Sequence, residues 1–442
     1  GEVRKNRILI FLLLQNILLL SSTFFRNNLF TLCHLIYTDT FYMKRKWIRW
    51  VSWILLTPII LFVILMVLLY VPPVQNLLRR EVTAYASKAT GMQIQVERID
   101  LRFPLNLLVR GVEVIQQPDT LLSLESLNVR VQAWPLIKGK VEVDEVTLSR
   151  VAVNSADLME GMKIKGVLGR FFLQSHGVDL SNELAVINQV ELSDTHMQLL
   201  MNDTTTTPKD TTASAPINWK VALHQLKLKN VSFSMQLPAD SMRMTAHIGE
   251  AAINNAQADL KNQYYDLKKF LLSGTSASYD TGTAQPTEGF DASHIAVRDI
   301  RIALDSLLYK GRDMNAVIRE FTMNERSGLS VTALTGRAYS NDSVICVPSL
   351  KLNTPHSEID LSAHTYWELV NIPTTGRLSA RLNAYIGKED VMLFAGALPE
   401  SFKEAYPFRP LVIRAGTDGN LKEMQISRFT VDLPGAFALE GG

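Results

Sequence analysis

A chain of 442 residues, 47% hydrophobic and 20% charged, carries enough apolar material for a large ordered body and excludes wholesale disorder. The formal net charge is +2, and setting aside residues 1–42, which hold four basic and two acidic side chains, leaves the charges in balance. That balance excludes the basic field that nucleic-acid binding needs, and two cysteines (Cys33 and Cys346) are too few for a disulfide scaffold or a cysteine-built metal centre.

Taken in chain order, the first apolar stretch, Ile8–Phe25, is long enough to span a bilayer. If it spanned together with the next stretch, Arg26 and the cluster Lys44–Arg49 would be driven across the membrane, against the positive-inside bias. Residues 1–42 therefore read as upstream sequence or a dispensable extension, with Met43-Lys-Arg-Lys reading as a natural start. Val51 to Val71 is free of charge and rich in Leu, Ile and Val, enough to cross about 30 Å of hydrocarbon as a helix. Lys44, Arg45, Lys46 and Arg49 precede it, and Trp47, Trp50 and Trp53 form an interfacial belt. Residues 43–73 are thus expected to be a cytoplasmic basic stub and one transmembrane helix, with everything after Val71 outside the cytoplasm. Residues 74–91 predict a short amphipathic helix stopped by Thr90-Gly91.

Beyond the helix a ten-residue pattern recurs, with apolar residues at i, i+2, i+5, i+7 and i+9. It is seen at Ile94–Phe103, Leu122–Val131, Leu226–Met235, Ile295–Leu304 and Met424–Leu433, with shorter copies at Val146–Val153 and Val190–Leu199, where Thr195 stands in for an apolar residue. A period of two means strands with one greasy face and one wet face. The skip from i+2 to i+5 would turn the apolar set to the wrong side unless the backbone absorbs one extra residue. Bulges are therefore expected at Glu97-Arg98, Glu125-Ser126, Lys229-Asn230, Arg298-Asp299 and Ser427-Arg428. On this reading one face carries Ile94, Val96, Leu127, Val129, Val131, Leu226, Leu228, Val231, Phe233, Met235, Ile300 and Ile302. The spacing of the copies is irregular, which predicts one long sheet of curved strands over 92–442 rather than a fixed-period solenoid. Polar stretches near 202–218 and 279–289 read as mobile insertions, and Lys388–Tyr406 as a helix or two before strands resume at Leu411. The ending at Gly441-Gly442, just after a strand, reads as a C-terminal truncation.

Groups capable of chemistry are sparse. The eight histidines never fall at metal-ligand spacing, and no GxSxG, P-loop or GxGxxG-helix motif occurs. His196 and His294 occupy polar-phase strand positions and are expected to be solvated; Cys346, in the apolar run Val344–Val347, reads as a buried, inert thiol. No catalytic residue, cofactor or metal ligand is assigned, and the expectation is a protein that is not an enzyme.

The order of these parts resembles the AsmA-like envelope proteins. The resemblance rests on the basic start, the single span, the helix ending at Thr90-Gly91 and the strand Gln93–Phe103. Leu122–Val131 and Trp134–Val143, with Leu136, Lys138 and Gly139 at its turn, extend it. Phe321–Leu334 and Leu350–Ile359, with Thr354-Pro355-His356-Ser357, look most like the TamB branch, the inner-membrane component of a translocation and assembly module, over its N-terminal portion. The resemblance implies a mainly β, taco-like open groove anchored in the inner membrane with its body in the periplasm. It also implies traffic of phospholipid between the inner and outer membranes, with inner-membrane lipids and their acyl chains as partners. The alternative it implies is a scaffold or chaperone for outer-membrane protein insertion or secretion, docking client strands or an outer-membrane barrel partner by β-augmentation.

Overall fold

The computed structural model describes residues 53, 56, 57, 60, 64, 67 and 70–442, except 103–104, 117, 133–141, 156–160, 180–181, 202–217, 397 and 421. Trp47, Trp50, Val51, residues 1–42 and most of the proposed span to Val71 lie outside that set, as does the insertion at 202–217. Trp53 is described and exposed, and no helix among the described residues is long and apolar enough to cross a membrane.

The chain after Val71 opens with helix α1 (Pro72–Thr90). Prolines occupy its first turn, where a missing N–H costs nothing, and Gly91 ends it in the left-handed conformation at φ 70°. Strands follow: β1 (Gln93–Arg102), β2 (Asn106–Gln116), β3 (Asp119–Val131), β4 (Val143–Asn154), β5 (Met162–Asp179), β6 (Leu184–Met201), β7 (Lys220–Leu237), β8 (Met242–Asp259), β9 (Tyr264–Asp280) and β10 (His294–Lys310). The far half comprises β11 (Asp313–Glu325), β12 (Ser330–Val331), β13 (Ala333–Ser340), β14 (Val344–Asn353), β15 (Glu358–Tyr366), β16 (Leu378–Ile386), β17 (Leu411–Gly419), β18 (Met424–Leu433) and β19 (Phe437–Gly441). Three short helices interrupt it: α2 (Trp367–Asn371), α3 (Lys388–Phe394) and α4 (Glu400–Ala405).

Each strand pairs with the next in chain order, antiparallel except for the parallel pair β6–β7, and the two-residue β12 shares the edge of β11 with β13. At about 4.8 Å per strand the sheet extends about 80 Å across its strands. Among the described residues β1 pairs only with β2 and β19 only with β18, so the sheet is open. Strands pack on their hydrogen-bonded neighbours, and among the described residues no second sheet lies over either face. The twelve buried hydrophobic residues are scattered along the chain, five of them alanines, and no side chain is wholly enclosed. A sandwich of this size would have a continuous dry core; this sheet has none.

The open edge of β1 is covered by α1. Gln75 Nε2 donates to the Leu101 carbonyl at 3.0 Å, and Arg79 Nη1 to the Val96 carbonyl at 2.9 Å. The Ile94 N–H donates to Ser87 Oγ at 3.0 Å. Side chains from the helix thus satisfy backbone groups that would otherwise template the pairing of another strand.

The bulge expectation is met in a different form. In β1–β8 each strand drops one residue out of the ladder at the same level, so partners stay in register: Val96 pairs with Val112 and Arg98 with Arg110, and the same step recurs from β2 to β8. The omitted residues line up as a crease across ten strands: Glu97, Gly111, Glu125, Arg150, Gly169, Asp194, Asn230, Gly249, Gly274 and Asp299. Six are left-handed: Gly111, Arg150, Asp194, Asn230, Gly274 and Asp299. Facing strands kink together, which is why a phase slip in every strand leaves the pairing unshifted across the crease from β1 to β8; at β9–β11 the register there steps by one residue. Asn and Asp tolerate the left-handed region best. Asn230 Nδ2 donates to Asp194 Oδ1 at 2.7 Å, and Arg150, the outlier by residue type, is ion-paired with Glu125. At Ser427 a one-sided bulge does occur, shifting the register between Gly416 and Thr417.

One further expectation changes. His294 is buried rather than solvated, because the connection after β9 folds back over the start of β10. Asp291 accepts from the N–H groups of Thr287 and Ser293 and lies 3.0 Å from His294 Nδ1; these bonds hold its carboxyl well below the usual carboxylate range. The polar stretch marked at 279–289 begins inside β9, which runs to Asp280, and just beyond its end Phe290 N–H donates to the Leu393 carbonyl at 2.7 Å, its ring 5.3 Å from that of Phe394. Cys346 is a buried free thiol, and His196 is exposed beside Gln198.

Candidate functional site: the uncovered apolar face

Register decides which side chains share a face, since directly opposed residues project together. One row runs Ile99–Val109–Leu127–Leu148–Phe171–Leu192–Leu228–Ala251–Leu272–Ile302–Phe321, apolar in eleven consecutive strands. The parallel row one step further from the crease, from Leu101 through Val129, Val146, Leu226 and Phe270 to Ile318, is apolar throughout as well. Across the crease lie Val96, Val231 and Ile300 in one row and Ile94, Phe233 and Val297 in the next, the latter interrupted only by Gly166. The opposite face carries Arg98–Arg110–Ser126–Ser149–Arg170–Ser193–Lys229–Glu250–Ser273 at the same level.

The twelve residues singled out from sequence all fall on the apolar face. Met235 pairs with Leu199 and Met244, and Val131 follows Val129 and meets Val143 after a one-residue shift. Sequence periodicity missed the intervening strands. In β2 the template is present as Leu107, Val109, Val112 and Val114 around Gly111. In β5, β8 and β9 it is diluted by Gly166, Ala246, Ala251, Thr275 and Ala277. The signal that finds them is a small or turn-forming residue at the skip.

Along one rim Val153, Met197, Phe233 and Met244 are each 37–45% accessible. Six of the chain's fourteen methionines (Met162, Met197, Met201, Met235, Met242, Met244) alternate onto this side at that rim. A flexible, polarizable thioether adapts to occupants of varied shape. The arrangement offers no nucleophile or paired acid and base, and no cluster able to hold a metal occurs among the described residues. What it offers is a run of apolar side chains across eleven strands, the kind of patch that marks an interaction site.

Fold and face together define a long, open, unclosed β-sheet with one apolar and one hydrophilic face over its first eleven strands. Neither the protein-family models nor the curated proteins contain a match to this chain.

Proposed function

We propose that this chain is a non-enzymatic, membrane-anchored envelope protein whose trough carries phospholipid, acyl chains against the apolar face, between inner and outer membranes. The observation that carries this reading is the pair of unbroken apolar rows across eleven strands, with no second sheet packed over them among the described residues. Each methylene moved from water onto such a surface contributes up to about 0.8 kcal/mol, so acyl chains are a fitting lining partner. The methionine-rich rim suits chains of mixed length and unsaturation. The resemblance to AsmA-like proteins of the TamB branch points the same way and supplies the orientation: a span over Val51–Val71, the N-terminus in the cytoplasm and the trough in the periplasm.

Native mass spectrometry of the chain purified in mild detergent tests the proposal. Phospholipid should be retained after exhaustive delipidating washes that strip a control single-span protein. Loss of all lipid under those washes would remove the conduit reading and favour an assembly scaffold working through its strands.

A further inference from the structure

The methionines of the rim are gathered by the register. Met162 pairs with Met201 across β5 and β6, and Met235 with Met244 across β7 and β8. Met197 stands opposite Phe233 on one side and Gly166 on the other, and the glycine offers no side chain to cover it. Met197 and Met244 therefore flank β7 from its two sides. They are 45% and 37% accessible, and of the other described methionines only Met424 is comparably exposed, at 44%.

We infer that this rim is a site of reversible oxidation, at which a hydroperoxide converts Met197 and Met244 to sulfoxides and so lowers the hold of the apolar face on acyl chains. The inference rests on the lipid reading above. With hydrogen peroxide, the sulfur lone pair takes one oxygen and the O–O bond breaks. The departing hydroxide collects the proton left on the transferred oxygen, so thioether and peroxide give sulfoxide and water. Reduction reverses the two-electron change: a dithiol becomes a disulfide and the sulfoxide oxygen leaves as water. A sulfoxide is polar, and an acyl chain lying against it strips that group of water without replacing the hydrogen bond. Among the described residues no second sheet packs over this face, so the oxidised side chains stay hydrated once lipid has left and the strands keep their pairing. In a closed core the same oxidation would disrupt the fold.

The full chain in mild detergent is treated with graded hydrogen peroxide and quenched. Sulfoxides are then mapped by peptide mass, bound lipid is counted by native mass spectrometry, and a melting curve is recorded. Met197 and Met244 should oxidise several times faster than the half-buried Met314 and Met323. The melting temperature should hold while the lipid load falls about tenfold. A methionine sulfoxide reductase supplied with dithiothreitol should restore the load. Met197→Leu with Met244→Leu nearly conserves volume and should keep its lipid under peroxide. Met424→Leu, at a methionine paired with Gly419 rather than with another rim residue, should lose lipid as wild type does. A load indifferent to peroxide, lost only together with the fold, or lost equally from the double variant overturns the inference and leaves the carrier reading standing. Oxidation of Met314 and Met323 ahead of the rim pair does the same. Should the double variant not fold, the reductase decides on the wild-type chain: recovery of lipid sustains the inference and no recovery overturns it. An untreated chain that holds no lipid overturns both readings.

Discussion

Replacing Gly249 with valine should cost about 2–4 kcal/mol. Gly249 faces Gly274 where β8 and β9 kink together. A Cβ at Gly249 would lie 2.7 Å from the Gly274 carbonyl oxygen and 3.1 Å from that of Ser273. Both obstacles are backbone, held by the flanking pairs Glu250–Ser273 and His247–Ser276, so neither can rotate aside. Gly311→Asn in the β10–β11 turn is the control. It too is left-handed, but a Cβ there meets nothing within 4 Å and Asn tolerates the conformation. Urea unfolding should separate the two variants, and hydrogen exchange should show the loss concentrated on β8, β9 and their neighbours. A Gly249→Val protein within about 0.5 kcal/mol of wild type would mean the aligned kinks are not a rigid feature.

Phe233→Asp should leave the chain folded yet lower its bound lipid severalfold. In a closed core a carboxylate at this position would be buried without a partner, a several-kcal/mol defect. Phe233 is 40% accessible, between Met197 and Ala246, so the lost packing is expected to cost only about 1–2 kcal/mol and water can hydrate the charge. An acyl chain crossing β7 would have to displace that water, and this is what should exclude lipid. Ser232 and Ser234 face the other way: Ser232 Oγ lies 2.9 Å from His247 Nδ1, and Ser234 pairs with Gln198 and Thr245. Aspartate at either should change neither melting temperature nor lipid load appreciably. Unfolding of Phe233→Asp alone would indicate a covered core, and a folded variant with its full lipid load would leave β7 outside the lipid path.

Much of this architecture was legible in the residues. Alternation with a skip announced strands whose apolar phase slips once, and five full copies implied one sheet repeating one design. Alternation leaves open how the slip is absorbed. A bulge in one strand and a kink shared by two produce the same spacing along one chain, and only the partner strand distinguishes them. The shared kink could be inferred only by noticing that Gly111, Gly169, Gly249 and Gly274 sit at the skip level of their strands. The burial of His294 was not legible either. Its place in the strand is a polar one, and what covers it is a loop whose docking depends on Asp291 and on α3, a hundred residues downstream.

The central claim is that lipid lies against one face of the strands. A photo-crosslinking amino acid placed singly at positions 231 to 235, in cells making the full chain, reads that face directly. The account predicts lipid adducts at 231, 233 and 235 and none at 232 and 234. Adducts to polypeptide at the odd positions, or lipid adducts without that alternation, would contradict it.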